Sequence, residues 1–255
     1  TLFLASFTDV LLDESANVHA QDFVREKISE IVSDPETASK LTPEHIIGCK
    51  RLVIDTDYFE TFNRPNVRLV DVGNEPIQRI TESGLSTKSE DFEFDVLVFA
   101  TGFDAMTGSI LRVDITGRAG TTIQEKWSAG PRTYLGLTVP GFPNMFTVSG
   151  PGSPSVLTNM IISIEQHVEW ISDCISWLDE HQYSTIEAKT EAEQAWVDHV
   201  NAKAERTLFP SCNSWYLGAN VPGKTRVFMP LLGFPGYVRR CDQVAENNYE
   251  GFVLQ

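Results

Sequence analysis

Between Asp13 and Val32, apolar residues at Phe23, Val24, Ile28, Ile31 and Val32 recur at helical spacing among charges, which predicts a helix with one packed and one wet face. Asp34-Pro35-Glu36 restarts the chain, with Asp34 placed to cap and Pro35 to take the first helical position. A second short helix is therefore expected to run to about Leu41, before Pro43. The period then changes from helical to extended. Residues 51–55 and 66–72 read as strands, and residues 77–81 and 85–87, around Ser83-Gly84, predict a hairpin or meander. The apolar run 96–100 is too short for a helix and too continuous for a half-exposed strand, so it predicts a strand buried on both faces that stops at Thr101-Gly102. Gly, Pro and Asn dominate residues 130–154, with short strands such as 145–149 between turns. The longest helix follows. Val156, Met160, Ile164, Val168, Ile171, Ile175 and Leu178 form a continuous apolar stripe about six turns long, starting at Ser155 in a glycine-rich loop. One more helix is expected after Thr190, where Thr190 and Glu193 form a capping box ahead of Ala195, Val197 and Val200.

Mixed helical and extended periods over 255 residues predict an α/β protein large enough for one sizeable domain or two smaller ones. A net charge of -15 argues against an unaided nucleic-acid or anionic-membrane surface, because both require basic patches, so any phosphate-bearing ligand needs a local cluster of cations. Cys49, Cys174, Cys212 and Cys241 lie far apart without a CxxC pair, which disfavours zinc and a small disulfide framework; free thiols in a reducing cytoplasm are expected. No apolar run approaches a membrane span and no signal-peptide pattern is visible. The opening LFLASF reads like the interior of something longer, suggesting a fragment.

Four places could carry chemistry. Thr101-Gly102 lies where ligands bind in open α/β sheets, beyond the carboxyl end of a strand, although the same pair also serves as a plain turn. Lys50 and Arg51 set adjacent cations at the mouth of a predicted strand, either as solvated loop charges or as an anion site: a compact ammonium suits a single phosphate, and a planar guanidinium can hold an oxyanion through paired N–H donors. Residues 149–155, SGPGSPS, combine close-approach glycines with a helix start and could present backbone amides to a flat ring, or form only a loop and a cap. Trp215, beside the turns at Gly218 and Pro222-Gly223, could cover a cofactor or sit in a core. The histidines show no metal spacing and no serine partner, and His167, next to the apolar stripe, fits a satisfied structural role.

The series CKR, YFETFNRPNV, FDVLVFATGFDAMTG, TYLG, GPGSPSVLTNM, SIEQHVEW, SWYLGAN and YEGF, in this order, resembles the C-terminal half of a Baeyer–Villiger monooxygenase, nearest the phenylacetone and steroid branch, with the cyclohexanone enzymes more distant. The resemblance implies two Rossmann-like dinucleotide-binding domains with a helical insertion, holding FAD and NADP(H), that turn ketones into esters or lactones with O2 through a C4a-peroxyflavin. Only the C-terminal portion would be present: 1–46 ending the insertion, 47–94 returning to the NADP domain and 95–255 completing the FAD domain. It further implies that Arg51 stabilises the peroxyanion and tetrahedral adduct, that Lys50 binds the 2′-phosphate of NADP, and that Trp215 contacts the nicotinamide cofactor. Met160, with Thr101 and Gly102, would meet the flavin, while Ser155, Val156 and Leu157 line a pocket for aryl or bulky ketones. The chain contains no GxGxxG, no FxGxxxHxxxW fingerprint and no aspartate matching the arginine's partner. These are expected in a missing N-terminal half, without which the chain should bind FAD poorly and not turn over. An N- or S-oxygenating flavin enzyme and a non-catalytic scaffold are the competing readings.

Overall fold

The structure, a computed structural model, describes residues 7–255, so all of LFLASF except Phe7 lies outside them. The described residues divide into two compact units, one formed by 7–10 with Glu14–Gly102, the other by Leu11–Asp13 with Phe103–Gln255.

In the first unit, α1 (Glu14–Ile31) and α2 (Pro35–Leu41) form as the periodicity predicts. Ile28 and Val32 pack with Ala38, and Phe59 of the short α3 (Tyr58–Thr61) closes this small core. Asp34 Oδ2 accepts the Thr37 N–H at 2.8 Å with Pro35 in the first turn, so the cap is the one the sequence spells out. The meander is also present: β1 (Ile77–Ile80), β2 (Gly84–Thr87) and β3 (Asp91–Glu93) form a three-stranded antiparallel sheet. Gly84 is required there, since a Cβ would lie 1.9 Å from Phe92 O on the neighbouring strand.

Three strand expectations fail in the same way. Residues 51–55, 66–72 and 96–100 enter no ladder among the described residues; in the first and last, apolar side chains face outward, with Ile54 98% exposed, Val96 77% and Val98 78%, and in 66–72 Val67, Leu69 and Val70 are half-buried. A strand buried on both faces needs neighbouring strands and covering layers; the apolar pattern records that demand, and no described residue meets it.

The second unit contains α4 (Ile123–Lys126), α5 (Met160–Glu180), α6 (Thr190–Ala204) and α7 (Phe234–Glu246), with a two-stranded ribbon of β4 (Ile186–Ala188) and β5 (Phe252–Leu254). One core gathers Ile123, Trp127, Val139 and Phe142. Residues 145–149 form no strand; Thr147 N–H makes a bond of 2.7 Å to Leu137 O.

Helix α5 departs from its predicted face and start. Ser163, His167, Trp170, Cys174 and Leu178 are buried, while Val168 and Ile175 of the aliphatic stripe are about half exposed and Ile161 65% exposed. The inward face carries groups that find hydrogen bonds, such as Trp170 Nε1 to Cys241 O at 3.0 Å, and of the aliphatic stripe Leu178 joins it while Val168 and Ile175 point away. The helix begins at Met160, capped by Asn159 Oδ1 accepting the Ile161 N–H, because extended Thr158 separates it from a 3-10 turn at Ser155–Leu157. Helix α6 lacks the predicted capping box. Lys189 is its N-cap without a side-chain bond, and the Glu193 carboxylate turns inward to Lys126 and Arg132.

The expectation of free thiols holds for Cys174 and Cys241, both buried, and fails for Cys49 and Cys212, which are not free thiols. Among the described residues no helix is long and apolar enough to cross a membrane, and no cluster of three or more His, Cys, Asp or Glu is placed to hold a metal ion.

Candidate functional site

A buried amide sets the approach to Lys50 and Arg51. Asn17 has no exposed surface. Its Nδ2 donates to Val10 O at 2.7 Å and Ile47 O at 3.0 Å, while its Oδ1 accepts from Ile47 N at 3.0 Å and Gln21 Nε2 at 2.9 Å. All four hydrogen-bonding capacities of the amide are used, and Ile47 is held by both its N–H and its C=O. Gly48 then turns the chain at φ 91°, and Lys50 and Arg51 leave buried Cys49 with exposed side chains. Burial, and secondarily the Lys50 charge, lowers the pKa of His45. In the same unit Thr101 and Gly102 are exposed; Gly102 has φ 81° and a Cβ there would touch nothing.

The other candidates lie in the second unit, around residues 103–106. Asn220 Nδ2 donates to Phe103 O at 2.7 Å. Lys224 Nζ pairs with Asp104 and donates to Ala105 O at 3.1 Å, which ties the turn after Trp215 to the segment after Gly102. Ser155 Oγ lies 3.5 Å from Met106 Sδ as its donor. The glycine loop is stitched to residues 229–231 by Gly152 N to Met229 O at 2.6 Å and Leu231 N to Ser153 O at 2.7 Å, and Met229 N reaches Tyr216 O at 3.0 Å. Thus Ser155 and Trp215 belong to one hydrogen-bonded web with residues 103–106, and Val156, Leu157 and Met160 extend it to the start of α5. Ser155 is buried, while Val156, Leu157, Met160 and Trp215 are half-buried. Met106 (φ 68°), Ser149 (φ 56°) and Ser155 (φ 44°) are non-glycine residues in the left-handed region, a cost of about 1–3 kcal/mol each that the surrounding bonds must hold. Two hydroxyls here are buried without a hydrogen-bond partner, Thr107 Oγ1 and Ser149 Oγ.

His167 supports this loop from behind. Its Nδ1 accepts the Ser149 N–H at 2.9 Å, so Nδ1 carries no proton; Nε2–H then donates to Tyr237 Oη at 2.9 Å, and the tyrosine hydroxyl donates to Leu135 O at 3.0 Å. The ring is neutral, and burial lowers its pKa from 6.5 to about 4. It has the satisfied structural role expected from sequence. Because the folded pKa is depressed, the stability it contributes is complete above 6.5 and is lost as pH falls through 6.5 towards 4. At 1.36 kcal/mol per pH unit that amounts to about 3 kcal/mol. Urea denaturation of the wild type and of His167→Gln at pH 7 and pH 4.5 is expected to show a steeper acid loss in the wild type; equal losses would contradict it.

No family model matches the chain. It is 45% identical over 252 residues to cyclohexanone 1,2-monooxygenase of Acinetobacter sp., covering 98% of this chain and 46% of that protein. It is 43% identical over 251 residues to a phenazine N-monooxygenase of Lysobacter antibioticus, covering 98% and 46%. A solved steroid monooxygenase bound to NADP superposes with a TM-score of 0.91 at 49% identity, over 99% of this chain and 48% of that one. The chain is homologous to Baeyer–Villiger monooxygenases over about half their length. Its structural neighbours in this family are flavin monooxygenases of Rossmann type, and the mixed α/β character of the chain agrees with theirs. For a Baeyer–Villiger homologue the residues that sequence reasoning passed over are instructive. Met106, Asn220 and Lys224 orient the candidates without a periodic apolar signal of their own, and Asn17 does so from the packed stripe of α1.

Proposed function

We propose that this chain supplies the C-terminal half of a cytoplasmic, FAD- and NADPH-dependent monooxygenase that converts ketones to esters or lactones with O2. The observation that carries the reading is 49% identity to an NADP-bound steroid monooxygenase across 99% of this chain. The outward-facing apolar segments agree with it: residues 51–55, 96–100 and the Ile161, Val168 and Ile175 face of α5 are surfaces that the remaining half of a longer protein would cover. The full architecture would be two dinucleotide-binding domains with a helical insertion, to which this chain contributes 1–46, 47–94 and 95–255. Ketone, O2 and the N-terminal half are its partners, and its net charge of -15 argues against an unaided nucleic-acid surface.

The residues present fit the two cofactors. Open Gly102 allows close approach, Thr107 and Ser149 offer unsatisfied buried hydroxyls, and Lys50 with Arg51 concentrates positive charge in an acidic chain. Thr101, Gly102 and Met160 would hold the flavin, Lys50 the 2′-phosphate of NADP, and Trp215 would cover the nicotinamide. When bound, FAD and NADPH supply the electrons and the activation of O2. Arg51 would hold negative charge at the ketone oxygen as it develops, a task suited to a guanidinium that stays protonated at any working pH. Ser155, Val156 and Leu157 would orient the ketone and exclude water from it.

Joined to its N-terminal half, the chain is expected to copurify with flavin and to form ester from cyclic or aryl ketones; alone, it is expected to lose flavin on gel filtration. Retention of FAD by the isolated chain would refute the division of labour, and failure of the joined protein to bind flavin would favour a scaffold. The likeness to a phenazine N-monooxygenase keeps N-oxygenation as the second reading, and phenazine N-oxide formed in place of ester would select it.

A further inference from the structure

Helices α6 and α7 and the turn before β5 enclose a groove of about 420 Å³ in the second unit, within the range of small-molecule sites. None of the residues in the proposed cofactor or ketone sites lines it. Small residues leave it open, Ala195 on one wall and Gly236 on the other. Its inner wall is aromatic: Trp196 stacks on His199 at 5.2 Å and 26° and meets Tyr134 edge-on at 6.5 Å. Trp196 is buried and fixed, since its Nε1 donates to Gly152 O at 3.0 Å, so this wall is rigid.

The charges around the groove run against the rest of the chain. Lys203, Arg240 and His199 all line it, and the carboxylate among the lining residues is that of Glu250, paired with Arg240 at 2.6 Å. Lys203 donates to Leu232 O at 3.2 Å and has no carboxylate partner among the described residues. Burial, then Lys203 and Arg240, lower the pKa of His199, so both cations are close enough for their fields to meet at the ring. An ammonium without a counter-ion beside a rigid aromatic wall selects a ligand that is flat at one end and anionic at the other.

We propose that this groove is a binding site for an aromatic carboxylate, its ring against Trp196 and His199 and its carboxylate on Lys203. The assignment is independent of the monooxygenase reading, and it is tested by binding rather than turnover. The probe is 2-naphthoate, titrated into the 255-residue chain by calorimetry, with neutral 2-naphthamide as control. Saturable binding of the acid is expected, weakened roughly tenfold in Lys203→Gln, where the amide can still donate to Leu232 O. Binding should be abolished in Ala195→Phe, whose added ring fills the groove from an exposed helix position. Because a bound anion favours the charged imidazole, the His199 ring resonances should titrate at higher pH in the complex than in the free chain. Absence of saturable binding, equal affinity for the amide, or undiminished binding in either variant would overturn the proposal.

Discussion

In the longer monooxygenase proposed above, Arg51→Ala is expected to lower the rate of ester or lactone formation by at least about 100-fold, the scale on which removing one preorganised charge partner slows a reaction that develops negative charge. The two adjacent cations separate this effect from a general loss of cofactor binding. Lys50, a compact charge proposed to meet the 2′-phosphate, would then govern how tightly NADPH is held, so Lys50→Ala should raise the KM for NADPH about tenfold and leave the rate at saturation nearly intact. Arg51→Ala should do the reverse, with NADPH consumed and little ester formed. Arg51→Lys keeps the charge but loses the planar pair of N–H donors, and should recover only part of the rate. Gas chromatography of the products alongside NADPH oxidation reads both quantities. Ester formed by Arg51→Ala at the wild-type rate would remove this residue from the chemistry.

What the sequence made legible was local. Asp34 and Pro35 specify a helix start through bonds made within four residues, and the meander around Gly84 is closed by neighbours in the chain, so both form as read. Residues 96–100 carry an equally clear pattern, yet they are exposed, because a pattern states what a strand requires and does not contain the strands that satisfy it. The face of α5 was misread for a related reason. Aliphatic side chains at Val168 and Ile175 outweigh His167 and Trp170 in a count of hydrophobicity, whereas the packed interior of the second unit takes the two rings, whose polar atoms find Ser149, Tyr237 and Cys241. Two positioning residues did leave a trace. Asn17 stands in the spacing 17, 21, 24, 28 on the inner side of α1, and Glu193 in the spacing 193, 196, 200, 204 on that of α6; a polar residue on a packed stripe announces a buried bond even where its partner cannot be named. The arrangement of Lys50 and Arg51 after a clasp on Ile47 joins residues 30 positions apart, and no spacing rule encodes it.

Glu193→Ala is expected to be the most destabilising single change in the second unit, by about 3–5 kcal/mol, or roughly 6–20 °C in melting temperature for a chain of this size. The carboxylate is 1% exposed. Its Oε2 receives Lys126 Nζ and Arg132 Nε, each at 3.3 Å, and its Oε1 is buried without a partner. Truncation leaves two partly buried cations, 23% and 34% exposed at the side chain, facing each other across a cavity, which is the costly half of a buried ion pair. The loss would reach the candidate site, because the segment after Arg132 carries the glycine loop. Thr133 Oγ1 donates to Pro151 O at 2.6 Å, and a Cβ at Gly136 would lie 2.4 Å from Ser153 N. Glu193→Gln, which keeps the shape and discards the charge, should cost less. Replacing the whole triad with Lys126→Met, Arg132→Leu and Glu193→Leu should recover most of the stability, since apolar side chains of similar volume avoid the desolvation that the charges incur. Thermal unfolding of these variants separates the two explanations: if Glu193→Gln melts with the wild type while Glu193→Ala does not, packing volume and not the uncompensated charge sets the stability of this wall.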